Sequence, residues 1–385
     1  MRLFYAAALL QGAVFYSPVA TLYRQAAGLS LLQMGVIESL SLALMLALEI
    51  PWGVLADRLG HRRTLAICSV LFALSKVVFW QARTFFGFLT ERLVLSVVLS
   101  GLTGCDSAYL FSCCGGTGEH RRAFSHWEGA TVAGTVLAGL TWPLLEGDYR
   151  LAALLTVGTY AAAALLTLLL TDPAGTPPAR RERAGFRAAL RQTWRMAPIL
   201  LAFCLLAEAA QQVTVFLNQL QYLRAGIPER WFGPLYALAT GAGLAGGLSH
   251  RLTGRLGTQR AGGLLFLTAA GVCLVLALTD NPTAAVSGVL LMAAVRAAAN
   301  PLSLSIQNEN APEGGRAAQL SCNAMLMDAA ALGVYPVYGA LADRGVPGAL
   351  LLACGCCSLG FLLFWRGMGR QSLAPQGPQP GVDTG

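Results

Sequence analysis

The chain has 385 residues, of which 55% are hydrophobic and only 12% charged, and its formal net charge is +8. Soluble domains carry about 25% charged residues, so the composition excludes an ordinary soluble protein. The positive excess lies in short loops between apolar segments, which argues against a nucleic-acid-binding surface. We predict an all-α polytopic membrane protein.

Apolar segments long enough to cross a bilayer follow one another along the chain. A transmembrane helix needs about 20 such residues. We predict about twelve of these helices, at 3–23, 32–55, 64–82, 85–111, 124–146, 150–171, 197–222, 231–250, 260–279, 283–304, 317–341 and 347–365. They divide into an N-terminal six-helix half at 1–171 and a C-terminal six-helix half at 196–366.

Two polar stretches lie outside these halves. Residues 172–195 begin with Pro, Gly and Thr and continue with a run of arginines, which predicts a connector. Residues 367–385 are rich in Pro, Gly and Gln and are predicted to be disordered. Most Lys and Arg residues fall in loops on the side of the connector and of both chain ends. Because cytoplasmic loops retain positive charge during insertion, we predict that the connector and both termini are cytoplasmic, in the plasma membrane.

A short string recurs in both halves. Arg58-Leu59-Gly60-His61 lies between the second and third helices of the N-terminal half. Arg255-Leu256-Gly257-Thr258 occupies the same position in the C-terminal half. The matching placement indicates a duplication, and many carriers build a central site between two related halves.

The loop between helices two and three resembles the signature of the major facilitator superfamily. The matching residues are Gly53, Asp57, Arg58, Gly60 and Arg62. This resemblance implies two six-helix pseudo-repeats and transport by alternating access. It also implies that the loop latches the halves together on the cytoplasmic side in the outward-facing state, with Asp57 and Arg58 as polar contacts.

Other short motifs carry less information. The string Ala342-Asp343-Arg344-Gly345 lies on the opposite side of the membrane by parity, so we expect it not to be this latch. Arg92 resembles the membrane-embedded arginine of many family members, although the glycine expected soon after it is absent. Helix five carries Gly129, Gly134 and Gly139 without the Gly-Pro pair of antiporters, and we interpret these glycines as packing residues.

Helix seven has a polar stripe. Glu208, Gln211, Gln212 and Gln219 share one helical face, which indicates the wall of an aqueous cavity. A hydrogen-bonded seam between helices is the alternative. A charge in mid-membrane costs about 2.5 to 3.5 kcal/mol, so embedded charges favour a functional site. The further candidates for the substrate or proton site are Asp106, Arg296, Asn300, Asp328 and Arg92, with Asn323 as an additional polar group.

These features predict a secondary active transporter that moves a small molecule by alternating access. Proton-coupled export of a lipophilic or cationic compound is the first hypothesis, and uptake of a polar nutrient such as a sugar, by symport or facilitated diffusion, is the alternative. A non-transporting membrane sensor or anchor is the second alternative.

No catalytic triad or phosphate loop is apparent, so we do not expect an enzyme. The ten cysteines lack histidine partners at ligand spacing and are interpreted as packing residues, without metal or cofactor. The expected partners are the small-molecule substrate, protons as coupling ion and the lipid bilayer. We expect no nucleic acid, and a monomer.

Overall fold

The computed structural model describes residues 1–114, 117–145, 147–171, 186–311 and 316–372, which are helical with short turns and contain no strand. The N-terminal half contains α1 Arg2–Gly12, α2 Ala20–Ala26, α3 Leu31–Leu59, α4 His61–Gln81, α5 Phe85–Leu102, α6 Cys105–Ser112, α7 Thr117–Thr141 and α8 Tyr149–Leu168. The C-terminal half contains α9 Phe186–Gln211, α10 Asn218–Arg224, α11 Phe232–Ala242, α12 Leu248–Leu256, α13 Thr258–Leu278, α14 Pro282–Glu309, α15 Arg316–Ala331, α16 Val334–Arg344 and α17 Val346–Ser372.

The predicted all-helical membrane fold is confirmed. Within the described ranges, 10 helices or consecutive helix pairs are long and apolar enough to span a membrane. The other two predicted spans correspond to α7, which begins with charged residues, and to α11 with α12, which are separated by a 3-10 segment at Gly243–Gly247.

The ends of the C-terminal half differ from the prediction. Helix α9 already begins at Phe186, within the predicted connector, and α17 continues to Ser372, within the predicted tail. The start of α9 is rich in Ala, Leu and Arg, which are strong helix formers and let this helix extend beyond the apolar segment. The rest of the predicted connector and tail, 172–185 and 373–385, lies outside the described residues.

The two copies of the repeated string have the same backbone conformation. Gly60 joins α3 to α4 with φ 82° and ψ 152°, and Gly257 joins α12 to α13 with φ 78° and ψ 157°. A positive φ with an extended ψ is readily adopted only by glycine. The two halves therefore share the backbone conformation of this turn as well as its sequence, as expected for two pseudo-repeats.

Glycines allow helix backbones to touch. A Cβ atom on Gly134 of α7 would lie 2.0 Å from the Leu9 carbonyl oxygen of α1, and one on Gly139 would lie 3.0 Å from the carbonyl oxygen of Gly233 in the other half. The packing interpretation of these two glycines is confirmed. For Gly129 it is wrong, because no atom of the described residues lies within 4 Å of its Cβ position.

Candidate functional site

The halves contact each other at one end of the bundle. We call the membrane face with Met1, Gly60, Gly257 and Ser372 the terminal side, and the opposite face the distal side. Among the described residues, the hydrogen bonds between the halves lie on the distal side or near the middle of the bundle. The structure is therefore closed on the distal side.

Gln219 of α10 forms one part of this closure. Its side-chain oxygen accepts hydrogen bonds from the backbone N–H groups of Thr21 at 3.0 Å and Leu22 at 3.2 Å. A second contact joins Glu229 to the N-terminal half. Its carbonyl oxygen accepts from Trp142 Nε1, and its carboxylate accepts from the Tyr149 hydroxyl, each at 2.8 Å. Gln219 thus joins the two halves in this structure.

Helices α3 and α16 form another part of the closure and run antiparallel. The Ser39 hydroxyl donates to the Leu332 carbonyl oxygen at 2.7 Å. A Cβ atom on Gly35 would lie 2.4 Å from the Tyr335 carbonyl oxygen, so the two backbones touch. At the distal end, the carboxylate of Asp343 accepts from the first amides of α3.

The N-terminal half holds a buried cluster of charges around Glu38. Arg92 Nε donates to Glu38 Oε2 at 2.9 Å, and Arg92 Nη2 forms an ion pair with the same oxygen. Arg24 Nη1 lies 3.6 Å from Glu38 Oε1. Arg92, a predicted site residue, is therefore neutralised within its own half. Arg24, the second ion-pair partner of Glu38, was not predicted as a site residue because it lies just beyond the first predicted span at 3–23.

A second buried pair joins α4 to α5. Lys76 Nζ lies 3.6 Å from Glu91 Oε1, and both side chains are almost fully buried. Lys76 also donates to the Tyr16 hydroxyl at 3.1 Å and lies over the rings of Phe72 and Tyr160. Sequence reasoning missed Glu91, although an acidic residue in the apolar run Phe85–Leu102 is a detectable signal.

The predicted stripe on helix seven is divided in the structure. Helix α9 ends at Gln211 and is followed by a π-helical turn at Gln212–Phe216. A π turn adds a residue to the helical repeat, so residues on either side no longer share one face. Such turns are frequent at functional sites. Gln211 and Gln212 are half-buried and buried, respectively, and Gln212 lies near Glu38 of the other half.

Glu208 lies on the inner face of α9. Its carboxylate interacts electrostatically with Tyr335 and Arg296. Its Oε2 atom is buried and has no hydrogen-bond partner in the part of the chain that the structure describes. The predicted residues Glu208 and Arg296 thus belong to one group of interacting side chains, and Tyr335 is a further member that the sequence did not reveal.

A cavity of about 290 Å³ lies beside this group. Its polar lining consists of Arg296 and Asn300 of α14, Tyr236 and Thr240 of α11, and Thr214 of the π turn. Within the described ranges, the Arg296 guanidinium has no hydrogen bond or ion pair at contact distance. Helix α11, which carries Tyr236, packs against the turn at Ser17–Val19, so the cavity borders the N-terminal half. The cavity therefore presents one positively charged side chain together with several hydroxyl groups and one amide group.

Other predicted residues lie apart from the cavity. Asp106 lies in the first turn of α6, in the N-terminal half. It interacts electrostatically with Cys68 of α4. Asn323 is fully buried and bonds to Thr193, Gln319 and Gln307 in a network within the C-terminal half. Asn323 thus joins helices of the C-terminal half and is not among the residues that line the cavity at Arg296.

The loop that resembles the superfamily signature lies on the terminal side. Gly53 is inside α3 and Gly60 forms the turn to α4. Arg58 is exposed, and Arg62 donates to the Leu170 carbonyl oxygen of the same half. The side chain of Asp57 lies outside what the structure describes. In the described residues, no cluster of three His, Cys, Asp or Glu side chains could hold a metal ion.

Comparisons with known structures show the same fold. The nucleoside transporter NupG is 16% identical, with a TM-score of 0.81, covering 95% of this chain and 98% of that chain. A bacterial homolog of the human lysosomal transporter Spinster, inward-facing and unoccupied, is 15% identical, with a TM-score of 0.74 and coverages of 98% and 97%. A POT family transporter with a bound thioalcohol-conjugated peptide is 12% identical, with a TM-score of 0.74 and coverages of 96% and 95%.

No curated protein sequence matches this chain significantly. The sequence profile described as Major Facilitator Superfamily, however, matches residues 3–334, which is most of the chain. The structural neighbours are transporters, in agreement with the predictions of an integral membrane transporter and not an enzyme. The chain belongs to the Major Facilitator Superfamily.

Proposed function

We propose that this protein is a secondary active transporter that carries a polar small molecule by alternating access and binds it in the cavity at Arg296. The observation that carries the proposal is the combination of a closed distal side with a polar cavity whose guanidinium has no ion pair among the described residues. With both termini cytoplasmic in the plasma membrane, the closed distal side corresponds to an inward-facing state of a monomeric carrier.

The cavity favours a polar or anionic substrate over a lipophilic cation. Arg296 repels a cation, and its planar guanidinium binds carboxylate or phosphate oxygens through paired hydrogen bonds. Thr214, Thr240 and Asn300 add uncharged hydrogen-bonding groups. We therefore prefer the polar solute to the lipophilic or cationic compound of the first hypothesis.

Glu208 supplies a route for proton coupling within the same group. Its carboxylate interacts electrostatically with Tyr335 and Arg296. When a substrate anion occupies Arg296, the attraction between Arg296 and Glu208 weakens, and the carboxylate binds a proton more readily. Substrate binding and proton uptake then favour each other, as symport requires.

The test is a thermal-shift screen of the purified protein, followed by transport in proteoliposomes. The panel contains nucleosides, nucleoside monophosphates, short peptides, sugars and organic cations. We expect a polar compound to stabilise the wild type and Arg251→Gln, in which an exposed arginine outside the cavity is changed, but not Arg296→Gln. Stabilisation by organic cations that grows in Arg296→Gln would instead support export of a cationic compound.

A further inference from the structure

Asp343 is the last acidic residue of α16 and connects the two halves at the distal side. Its Oδ1 atom accepts from the backbone N–H of Leu31 at 2.8 Å, and its Oδ2 atom accepts from that of Leu32 at 3.0 Å. Leu31 and Leu32 begin α3 in the other half, where N–H groups have no partner within their own helix. Ser30 caps only the amide of Gln33, so Asp343 binds donors that the local cap leaves open.

The position of Asp343 in its own helix is unfavourable. It lies in the last turn of α16, where the partial charge of the helix end is negative and a carboxylate is repelled. At the first turn of α3, the same carboxylate meets a positive helix end. The contact between the halves therefore gives this side chain a stabilising partner that α16 cannot offer.

The surroundings allow the contact to form closely and to break. A Cβ atom on Gly339 would lie 2.4 Å from the Leu31 carbonyl oxygen, so only glycine lets α16 approach α3 here. Asp343 itself is exposed. Water can therefore replace the two hydrogen bonds when the halves separate, and the contact is reversible.

The same tripeptide lies in the last turn of both helices of this antiparallel pair. Ala56-Asp57-Arg58 is followed by Leu59, the last residue of α3, and then Gly60, whereas Ala342-Asp343-Arg344 ends α16 directly before Gly345. Both glycines have positive φ angles, 82° and 150°. Because α3 and α16 run in opposite directions, one tripeptide lies on the terminal side and the other on the distal side.

We propose that Asp343 is the distal latch of the transport cycle and the counterpart of the latch motif at Asp57. Asp343 holds the halves together while the terminal side is open. Its hydrogen bonds to Leu31 and Leu32 break when the distal side opens and the motif at Asp57 closes the terminal side. The inference rests on the alternating access of the proposed function.

Hydrogen exchange of the full-length protein in nanodiscs, read by mass spectrometry, tests the latch. One reporter peptide contains Leu31 and Leu32, and a second contains Thr21 and Leu22, whose amides are bound by Gln219. Opening of the distal side exposes both. We expect Asp343→Ala to accelerate exchange in both peptides by about tenfold, the effect of losing a hydrogen bond to a charged group.

The matched control is Arg344→Ala, which changes the neighbouring exposed residue and leaves both peptides as in the wild type. Asp57→Asn weakens the opposite latch, so it slows exchange in both. If Asp343→Ala affects only the peptide with Leu31, Asp343 is merely a local helix cap and the latch is refuted; unchanged exchange refutes it too.

A variant that retains one acceptor oxygen provides a second test. If Asp343→Ala does not fold, the same measurement is made on Asp343→Asn. We expect a smaller acceleration of hydrogen exchange in the same two peptides. Exchange rates equal to those of the wild type would refute the latch. The exchange measurement uses no substrate. Failure of the latch is therefore distinguishable from failure of the substrate assignment at Arg296, which the ligand screen tests separately.

Discussion

Removing the acidic partner of Lys76 should destabilise the N-terminal half. The Lys76 Nζ to Glu91 Oε1 distance of 3.6 Å corresponds to an attraction of about 5 kcal/mol at an effective dielectric constant of 20. Glu91→Gln leaves the ammonium buried and uncompensated, which costs about 3 to 5 kcal/mol. The aromatic rings and the Tyr16 hydroxyl around Lys76 offset part of this cost, so we expect a loss near 3 kcal/mol.

The assay is thermal unfolding of the purified protein in detergent. A loss of about 3 kcal/mol corresponds to a fall in Tm of roughly 6 to 12 °C for a unit the size of this half. Glu128→Gln removes an exposed carboxylate of α7 and is the control, with a change of less than about 2 °C. The double variant Lys76→Met with Glu91→Gln has no unpaired charge and should recover most of the stability. Equal Tm values for Glu91→Gln and Glu128→Gln would refute this reasoning.

Three other predictions concern coupling, packing and topology. Glu208→Gln removes a titratable group beside the Arg296 cavity, so substrate flux driven by a pH gradient in proteoliposomes should lose its pH dependence; an unchanged profile assigns Glu208 to packing. Gly134→Ala places a Cβ atom 2.0 Å from the Leu9 carbonyl oxygen and should cost about 1 to 3 kcal/mol in thermal unfolding, whereas Gly129→Ala, with no atom of the described part of the chain within 4 Å, should be neutral or slightly stabilising. A protease should cut the predicted connector at 172–195 only from the cytoplasmic face of oriented vesicles, and cleavage only from outside would overturn the orientation.

Properties that depend on local sequence were predictable. Hydrophobic length alone identifies a transmembrane helix, because lipid leaves no other way to satisfy the backbone. The spans therefore follow from apolar runs, and the connection around Gly60 follows from the charged residues that separate two of these runs. The family also follows from a contiguous motif. The stripe on helix seven shows the limit of this reasoning, because an ideal helical period does not reveal the π turn at Gln212–Phe216.

Pairing between distant residues was decided by the tertiary structure. Neither Lys76 nor Glu91 was among the predicted site residues, and Asp343 was expected to be unrelated to the cytoplasmic latch. Only the folded helices show that Glu91 neutralises Lys76 and that Asp343 binds the amides of α3 across the two halves. The composition of a helix determines whether it enters the membrane, whereas the rotation and depth of its neighbours determine which charges meet.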